Sequence, residues 1–166
     1  MSATSAAKLL ADLQARGWYL AIAESLTGGA LASEIVAVSG ASNVFLGSIT
    51  AYQNSIKKNL LEVPASILES RGAVSAETAE AMATGVRAQF AAAAGKSIDH
   101  VIGLSTTGVA GPDQDGDKPV GLVYLGFSVP GTGTFSHELR LTGDRDQIRA
   151  AAVQFALSEI WEQIAR

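Results

Sequence analysis

WYLAIAESLTGG, residues 18–29, joins a short apolar run to a serine and a pair of glycines. The apolar part, 18–23, is typical of a buried strand. The glycines permit a tight turn, and a helical pattern follows over 28–38. The stretch therefore predicts a strand, a turn and a helix start. Ser25 either shapes the turn or is a nucleophile held over the helix N-terminus.

Helical and strand patterns alternate along the rest of the chain. We predict helices at 1–16, 28–38, 54–62, 64–72, 75–94 and 144–165. We predict strands at 18–23, 44–53, 99–105, 122–129 and 134–141, and a loop rich in turn residues at 106–121. Three strands separated by helices, followed by one hairpin, indicate the α/β class. The expected fold is one domain over 1–166, a three-layer α/β/α sandwich with a mixed, mostly parallel sheet.

The composition limits the classes of function. The chain has 166 residues, of which 48% are apolar, and 12 basic against 16 acidic residues give a net charge of -4. An acidic chain is unsuited to nonspecific binding of nucleic acid. The absence of cysteine excludes a thiolate nucleophile and a Cys-ligated zinc site. Because the sequence shows neither a signal peptide nor an apolar run of the roughly 20 residues that span a bilayer, we expect a cytoplasmic protein without a membrane partner.

Three chemically versatile residues follow or end the predicted parallel strands. Ser25 follows the first strand, Tyr52 lies at the end of the second, and Thr107 follows the third. In open α/β sheets, ligands bind at the carboxyl ends of the strands. We therefore expect these three residues to belong to one site.

The stretch GPDQDGDK, residues 111–118, resembles two ion-binding or phosphate-binding motifs but matches neither. A P-loop needs lysine after its second glycine, and this chain has Asp117 there. A calcium loop starting at Asp113 would have lysine and tyrosine where glycine and glutamate are required. We interpret the acidic cluster as a solvated turn, with a weak Mg²⁺ contact as the alternative, and predict no metal site.

Two further sets of residues fail as catalytic motifs. His100 and His137 have no acid or serine partner at a recognisable spacing, which argues against a Ser-His-Asp triad. Ser55 and Lys58 form an S-x-x-K sequence, but the other motifs of the penicillin-recognising hydrolases are missing.

A nucleophilic site without cysteine or a suitable histidine needs a serine or threonine together with another base. Lysine can serve as that base where burial lowers its pKa. Lys57 lies five residues after Tyr52, on a short predicted helix that can return it over the strand ends. The alternative interpretation is that Lys57 and Lys58 are an exposed pair.

Two glycine-rich loops and one arginine are candidates for binding an anion. Gly28 and Gly29 leave N–H groups at a helix start for an anion or an oxyanion, unless Thr27 is only an N-cap and the glycines only make the turn. The loop TTGVAGP, residues 106–112, has the same two possible uses. Arg145 lies in the first turn of the last helix, where a cation is unfavourable. Arg145 therefore either binds an anionic ligand or pairs with a neighbouring aspartate.

Five motifs in fixed order cover nearly the whole chain, namely AESLTGG, AYQNSIKK, RGAVSAETAEAMA, STTGVAGPDQDGDKPVGLVY and TGDRDQIR. Together they closely resemble the CinA C-terminal domain, the nicotinamide-nucleotide amidohydrolase (NMN deamidase) family. The resemblance implies the stand-alone form, without the N-terminal pyrophosphatase-like domain of longer CinA proteins. One departure is Leu26, where many members carry cysteine, and we expect it to change only the packing.

The resemblance implies hydrolysis of the carboxamide of nicotinamide mononucleotide (NMN) to nicotinate mononucleotide and ammonia, in pyridine nucleotide recycling. It also implies a Ser/Lys mechanism without metal or cofactor, a sheet of five strands and a homodimer. The family's catalytic positions fall on Ser25, Lys57, Tyr52 and Thr107, and its substrate-binding positions on Asn54 and Arg145.

In this interpretation, Ser25 attacks the carboxamide carbon and Lys57 transfers the protons. The oxyanion donors are N–H groups of either Thr27–Gly29 or Thr107–Gly108. Tyr52 stacks on the pyridinium ring. The phosphate, at the other end of the substrate, is expected to bind Arg145, with the loop TTGVAGP as the alternative.

Two other functions stay open at this point. One is a Ser/Lys amidohydrolase that acts on a different amide. The other is a catalytically silent nucleotide-binding module that acts through a partner protein. Ammonia release across a panel of amides separates the first from an NMN deamidase, and binding without turnover identifies the second.

Overall fold

Residues 4–165 are the part of the chain that the computed structural model describes, and they form six α-helices and five strands. The helices are α1 (Ser5–Arg16), α2 (Ala30–Val36), α3 (Asn54–Leu61), α4 (Ala65–Ser70), α5 (Ala76–Ala93) and α6 (Arg145–Ala165). The strands are β1 (Tyr19–Glu24), β2 (Phe45–Thr50), β3 (Val101–Gly108), β4 (Leu122–Val129) and β5 (Gly133–Arg140). Residues 1–3 of the predicted helix 1–16, and Arg166, lie outside the described residues.

The strands form one mixed sheet in the order β2-β1-β3-β4-β5. β1 pairs in parallel with both β2 and β3, whereas β3 with β4 and β4 with β5 are antiparallel. The sheet therefore has a parallel side made of three strands and a hairpin that extends it on the other side. The predicted α/β class and mixed five-stranded sheet are confirmed.

Helices cover both faces of the sheet, which makes the three layers of the sandwich. α1, α2 and α6 pack on one face over the larger apolar core, and α5 with α3 packs on the other. α1 and α6 each bury an apolar stripe, which consists of Leu9, Leu10 and Leu13 in α1 and of Val153, Leu157, Ile160 and Ile164 in α6. Among the helices of residues 4–165, none has the length and hydropathy that crossing a membrane requires.

Helix α5 lies unusually close to the sheet because two strand positions lack side chains. A Cβ atom at Gly103 or at Gly126 would collide with the backbone carbonyl of Ala83 or Ala79. The hydroxyl of Ser105 also donates to the Ala79 carbonyl at 2.6 Å. Close packing fixes α5 and the segment just before it against the strands that end at the site.

The C-terminal ends of β2 and β3 each differ from the sequence prediction by three residues. β3 continues to Gly108, so Thr106 and Thr107 are strand residues and not part of the loop predicted at 106–121. They pair with Leu125 and Tyr124 of β4, and this pairing, together with the strand preference of β-branched threonine, overrides the turn signals that follow. β2 ends at Thr50, earlier than predicted, so Tyr52 lies in the connection to α3.

The carboxyl ends of β1, β2 and β3 meet at one edge of the sheet. Backbone bonds continue past the strand ends, since the Ser25 N–H donates to the Thr106 carbonyl at 3.0 Å and the Ala51 N–H donates to the Glu24 carbonyl at 2.8 Å. These bonds hold Ser25 beside the end of β3 and the connection after β2 beside the end of β1.

Candidate active site

Ser25 and Lys57 form a buried pair at this edge. The Lys57 Nζ lies 3.0 Å from the Ser25 Oγ. Lys57 is 1% exposed and Ser25 is 8% exposed, so water has little access to the pair. Lys58 points away and is exposed. The interpretation of both lysines as an exposed pair is therefore wrong for Lys57.

Two backbone carbonyls orient the amine of Lys57. Its Nζ donates to the Ala51 oxygen at 2.8 Å and to the Tyr52 oxygen at 3.1 Å. Burial strips the ammonium of its hydration and lowers the pKa of Lys57 from 10.5 to about 8. A neutral amine has two N–H bonds and one lone pair. When the carbonyls accept both N–H bonds, the lone pair faces the Ser25 hydroxyl, as a base requires.

A cavity of about 170 Å³ borders the pair. Six of the ten site residues predicted from the sequence line it, and they are Ser25, Lys57, Tyr52, Thr107, Gly108 and Arg145. Five further residues complete the lining, and they are Leu26, Ala73, Val74, Ala110 and Asp115. Leu26 is buried in the larger apolar core, so its side chain packs there while its backbone borders the cavity.

Thr107 is fixed in the cavity wall by its own hydroxyl. This hydroxyl donates to the Ala73 carbonyl at 2.7 Å, and the side chain is 1% exposed. The bond joins the end of β3 to the segment before α5, in the motif RGAVSAETAEAMA. Ala73 and Val74 in that motif line the cavity, but their apolar side chains gave no indication of this in the sequence.

Arg145 lines the cavity beside Tyr52. Its Nη1 donates to the Gly111 carbonyl at 2.6 Å and its Nη2 to the Tyr52 hydroxyl at 3.4 Å. Within residues 4–165 it forms no ion pair with either neighbouring aspartate, and Asp146 instead contacts Arg149. The pairing considered from the sequence is therefore wrong, and one of the two bonds of Arg145 joins it to Tyr52, which also lines the cavity.

Four predicted site residues lie outside the cavity lining. Asn54 is exposed at the start of α3 and lines a separate cavity with Ser55 and Lys58. Gly28 is exposed, and the Gly29 N–H is bonded to the Glu24 carboxylate. Thr27 is buried, with its hydroxyl 2.7 Å from that of Thr106. Thr27 does not cap α2, because the N-cap position is Gly29.

The carboxylate of Glu24 occupies the N-terminus of α2. It is fully buried and accepts from the N–H groups of Gly29, Leu31 and Ala32 at 2.9, 3.1 and 2.9 Å. The Gly28 N–H donates to the Ser25 carbonyl at 3.2 Å. These amides are therefore engaged and do not serve an oxyanion, which corrects most of the first expected donor set.

Two other N–H groups next to Ser25 have no acceptor in the described part of the chain, those of Leu26 and Thr27. The residue after a serine nucleophile supplies an oxyanion donor in other hydrolases. Gly108, from the second expected donor set, also lines the cavity. The candidate oxyanion donors after Ser25 are therefore the N–H groups of Leu26 and Thr27, and not those of Gly28 and Gly29.

Arg149 holds the Leu26–Thr27 backbone from the side of α6. Its Nε donates to the Leu26 carbonyl at 3.0 Å and its Nη2 to the Thr27 carbonyl at 3.1 Å. No local sequence pattern points to Arg149, because the contact joins positions more than 120 residues apart. Glu24 and Arg149 together fix the turn that carries Ser25. Glu24 accepts hydrogen bonds from backbone N–H groups, and Arg149 donates hydrogen bonds to backbone carbonyls.

One histidine differs from the sequence prediction. His137 does have an acid partner, because its Nδ1 lies 2.8 Å from the Glu159 carboxylate. Its ring packs against Phe127 and Phe135, outside the cavity lined by Ser25. Residues 4–165 contain no cluster of three or more histidine and acidic side chains arranged to hold a metal ion.

Comparison with known protein sequences places the chain in a family. The model of the CinA C-terminal domain matches residues 2–164. A CinA-like protein of Acaryochloris marina is 46% identical over 154 residues, which are 92% of this chain and 35% of that protein. A CinA-like protein of Frankia casuarinae is 43% identical over 157 residues, 95% of this chain and 34% of that protein. The chain spans about a third of the length of these curated relatives.

Solved structures have the same fold. The competence/damage inducible protein CihA from Agrobacterium tumefaciens superposes with a TM-score of 0.86 at 30% identity, over 100% of both chains. A CinA superfamily protein from Klebsiella pneumoniae superposes with a TM-score of 0.86 at 31% identity, over 97% of this chain and 96% of that chain. The chain therefore belongs to the CinA C-terminal domain family.

Proposed function

We propose that this chain hydrolyses the carboxamide of NMN to nicotinate mononucleotide and ammonia. The observation that carries the proposal is the 3.0 Å contact between the Lys57 Nζ and the Ser25 Oγ beside the cavity. A serine hydroxyl can act as a nucleophile when a buried amine with a pKa of about 8 lies next to it and serves as its base. The choice of NMN rests on the resemblance to the nicotinamide-nucleotide amidohydrolases.

Acylation starts with neutral Lys57. As the Ser25 Oγ attacks the carboxamide carbon, Lys57 takes the serine proton and the carbonyl oxygen becomes an oxyanion. The C–N bond then breaks, and the Lys57 ammonium returns its proton to the departing nitrogen, which leaves as ammonia. In the second half, Lys57 takes a proton from water, hydroxide attacks the ester, and the proton goes back to the Ser25 oxygen. Nicotinate mononucleotide is released and the starting state is restored.

The oxyanion needs donors that are fixed before the reaction begins. In the proposal these are the N–H groups of Leu26 and Thr27, with Gly108 as the alternative. Arg149 binds the carbonyls of Leu26 and Thr27, and Glu24 binds N–H groups that follow them in the chain, so the donors have little freedom to turn away. Tyr52 is 61% exposed beside the cavity and supplies a face for the pyridinium ring.

Activity is expected to rise with pH through the pKa of Lys57. The base acts only when neutral, so below about pH 8 kcat/KM should fall about tenfold per pH unit, and above it the profile should level. The NMN phosphate itself titrates near pH 6. Nicotinamide riboside, which has no phosphate, is therefore the control, and its kcat/KM should fall below the pKa of Lys57 in the same way. A profile that is flat between about pH 6 and 9 would contradict the role of Lys57 as the base.

Replacing Arg149 by alanine should lower kcat with little change in KM. Without its two bonds, the Leu26–Thr27 turn is no longer held, and we expect a loss of roughly 10–100-fold in kcat, less than deleting an oxyanion donor outright. Arg149→Lys should retain part of the rate. Arg87 is the matched control because it also bonds a backbone carbonyl, that of Ile98, away from the cavity. Arg87→Ala should lower Tm but not kcat, and an unchanged kcat in Arg149→Ala would refute the positioning role.

A panel of amides tests the substrate assignment. Ammonia release should be fastest from NMN, slower from nicotinamide riboside and slower again from nicotinamide, glutamine and asparagine. Faster turnover of an amide without a pyridine ring would support the second candidate, a Ser/Lys amidohydrolase of another substrate class. The small, polar cavity with its buried lysine favours the enzyme over the silent binding module, because binding alone does not need an amine whose pKa is lowered by burial.

The proposal also includes a homodimer in the cytoplasm, which acts on a small mononucleotide and not on nucleic acid or a membrane. These statements rest on the resemblance and on the acidic composition. Sedimentation equilibrium of the purified chain tests the dimer, and a mass of one chain at micromolar concentration would contradict it.

A further inference from the structure

The cavity beside Ser25 adjoins a second cavity of about 300 Å³. Ala73, Val74 and Asp115 line both of them. The first, at about 170 Å³, is smaller than the roughly 300–1,000 Å³ of sites that enclose a small ligand, and the two together fall within that range. A mononucleotide whose carboxamide lies at Ser25 therefore needs the second cavity for its other end.

Two cations line the second cavity, Arg71 and Lys118. The Arg71 Nε contacts Glu77 at 3.0 Å, with side chains 63% and 43% exposed, and the Lys118 Nζ contacts Asp117 at 3.8 Å. Ion pairs at the protein surface contribute little to stability, because water screens them. A phosphate can therefore recruit either cation. Arg71 uses only its Nε for Glu77, which leaves its two terminal nitrogens for a bidentate contact.

Arg145 is less well placed for the phosphate than the sequence indicates. It shares the first cavity with Ser25 and Lys57, and its guanidinium is tied to the Gly111 carbonyl and the Tyr52 hydroxyl. In NMN the ring and the ribose separate the carboxamide from the phosphate. A cation in the small cavity that receives the carboxamide is therefore close to the wrong end of the substrate.

We propose that the second cavity is the subsite for the ribose 5′-phosphate end of the substrate, with the phosphate bound by Arg71 and Lys118. Asp115, which lines both cavities, accepts hydrogen bonds from the ribose hydroxyls, because a carboxylate suits hydroxyl donors and repels a phosphate. Asp117 also lines the subsite, but it is 88% exposed and can turn to water when Lys118 takes the phosphate. The assignment rests on the proposed function.

Kinetics with NMN and nicotinamide riboside test the subsite. Arg71→Ala should raise KM for NMN about tenfold, as expected for one lost charge-assisted contact, and Lys118→Ala should raise it by a smaller factor. KM for the riboside should change less than about twofold in both variants. Asp115→Ala should raise KM for both ligands by similar factors, since both carry the ribose. The control is Arg140→Ala, because Arg140 is similarly exposed, pairs with Glu138 and lines neither cavity.

Two results would overturn the subsite. One is that Arg71→Ala and Lys118→Ala affect both ligands equally or leave both unchanged. The other is that only Arg145→Ala discriminates NMN from the riboside, which would return the phosphate to Arg145. Thermal melts of each variant exclude a loss of fold as the cause.

Binding measurements separate this proposal from the proposed reaction. Calorimetry with the Ser25→Ala protein measures the affinity for NMN and for the riboside without turnover. If the wild-type chain releases no ammonia from NMN, the reaction is wrong, yet a preference for NMN that disappears in Ser25→Ala/Arg71→Ala would still support the subsite. Equal affinity of the Ser25→Ala protein for the two ligands would contradict the subsite whatever the outcome for the reaction.

Discussion

Replacing Ser25 by alanine is expected to lower kcat for NMN by a factor on the order of 10⁴–10⁶, because removing the nucleophile of a coupled catalytic pair disables the whole unit. Binding of NMN and the melting temperature should change little. Among the described residues, the Ser25 Oγ bonds only to the Lys57 Nζ. The substitution therefore removes one hydrogen bond and no packing volume beyond a single oxygen. Steady-state ammonia release measures the loss of kcat, and calorimetry measures whether the affinity for NMN is unchanged.

Ser55→Ala is the matched control for this substitution. Ser55 is an exposed serine on α3 and lies in the separate cavity with Asn54 and Lys58. It should retain wild-type activity. If Ser25→Ala keeps near-normal rates while Ser55→Ala does not, Ser25 only shapes the turn after β1 and the chemistry belongs to the S-x-x-K pair.

Replacing Lys57 by methionine should be nearly as damaging, with kcat lower by a factor on the order of 10⁴. Methionine keeps most of the side-chain volume in a position that is 1% exposed, so the loss reports on the amine and not on a cavity. Without the amine, the serine proton has no acceptor in the pair. The pH dependence assigned to this residue should disappear together with the rate.

Lys58→Met on the same helix provides the comparison. Lys58 is exposed, and its substitution should leave kcat and the pH profile unchanged. Circular dichroism of Lys57→Met is needed beside the kinetics, because the carbonyls of Ala51 and Tyr52 lose their donor. A folded Lys57→Met protein with wild-type kcat, or a larger loss in Lys58→Met, would rule out Lys57 as the base.

The convergence of the main site residues was predictable from the sequence. Ser25, Tyr52 and Thr107 each lie at or just after the end of a strand, and the strands of a parallel sheet end at one edge. Lys57 joins them because α3 starts only a few residues after β2 and turns back over that edge. The boundary of β3 was less predictable, because Thr106 and Thr107 are held by pairing with β4 and not by local sequence.

The oxyanion donors depend on a turn geometry that the residue types do not specify. Gly28 and Gly29 have positive φ values of 61° and 97°. The turn that they make brings the N-terminus of α2 onto the carboxylate of Glu24. The sequence shows an acid, a serine and two glycines in a row, but it does not show whether the N–H groups of the helix face the acid or a ligand.

Asn54 and Arg149 show two other limits of the sequence. Asn54 precedes Lys57 by one helical turn, yet at the first position of α3 its side chain is exposed while Lys57 is buried. Arg149 contacts the turn after Ser25 only because α6 crosses that face of the sheet. Neither outcome follows from local pattern, because each depends on how a helix is rotated and placed against the sheet.

The products formed from NMN by the purified chain test the central claim most directly. Ammonia is measured enzymatically, and nicotinate mononucleotide and nicotinamide are separated by chromatography. The account predicts ammonia and nicotinate mononucleotide in equal amounts, with no nicotinamide, and loss of both products in Ser25→Ala. Release of nicotinamide would show cleavage of the glycosidic bond, and binding of NMN without any product would show a silent nucleotide-binding module. Either result would contradict the assignment of Ser25 and Lys57 as an amide-hydrolysing pair.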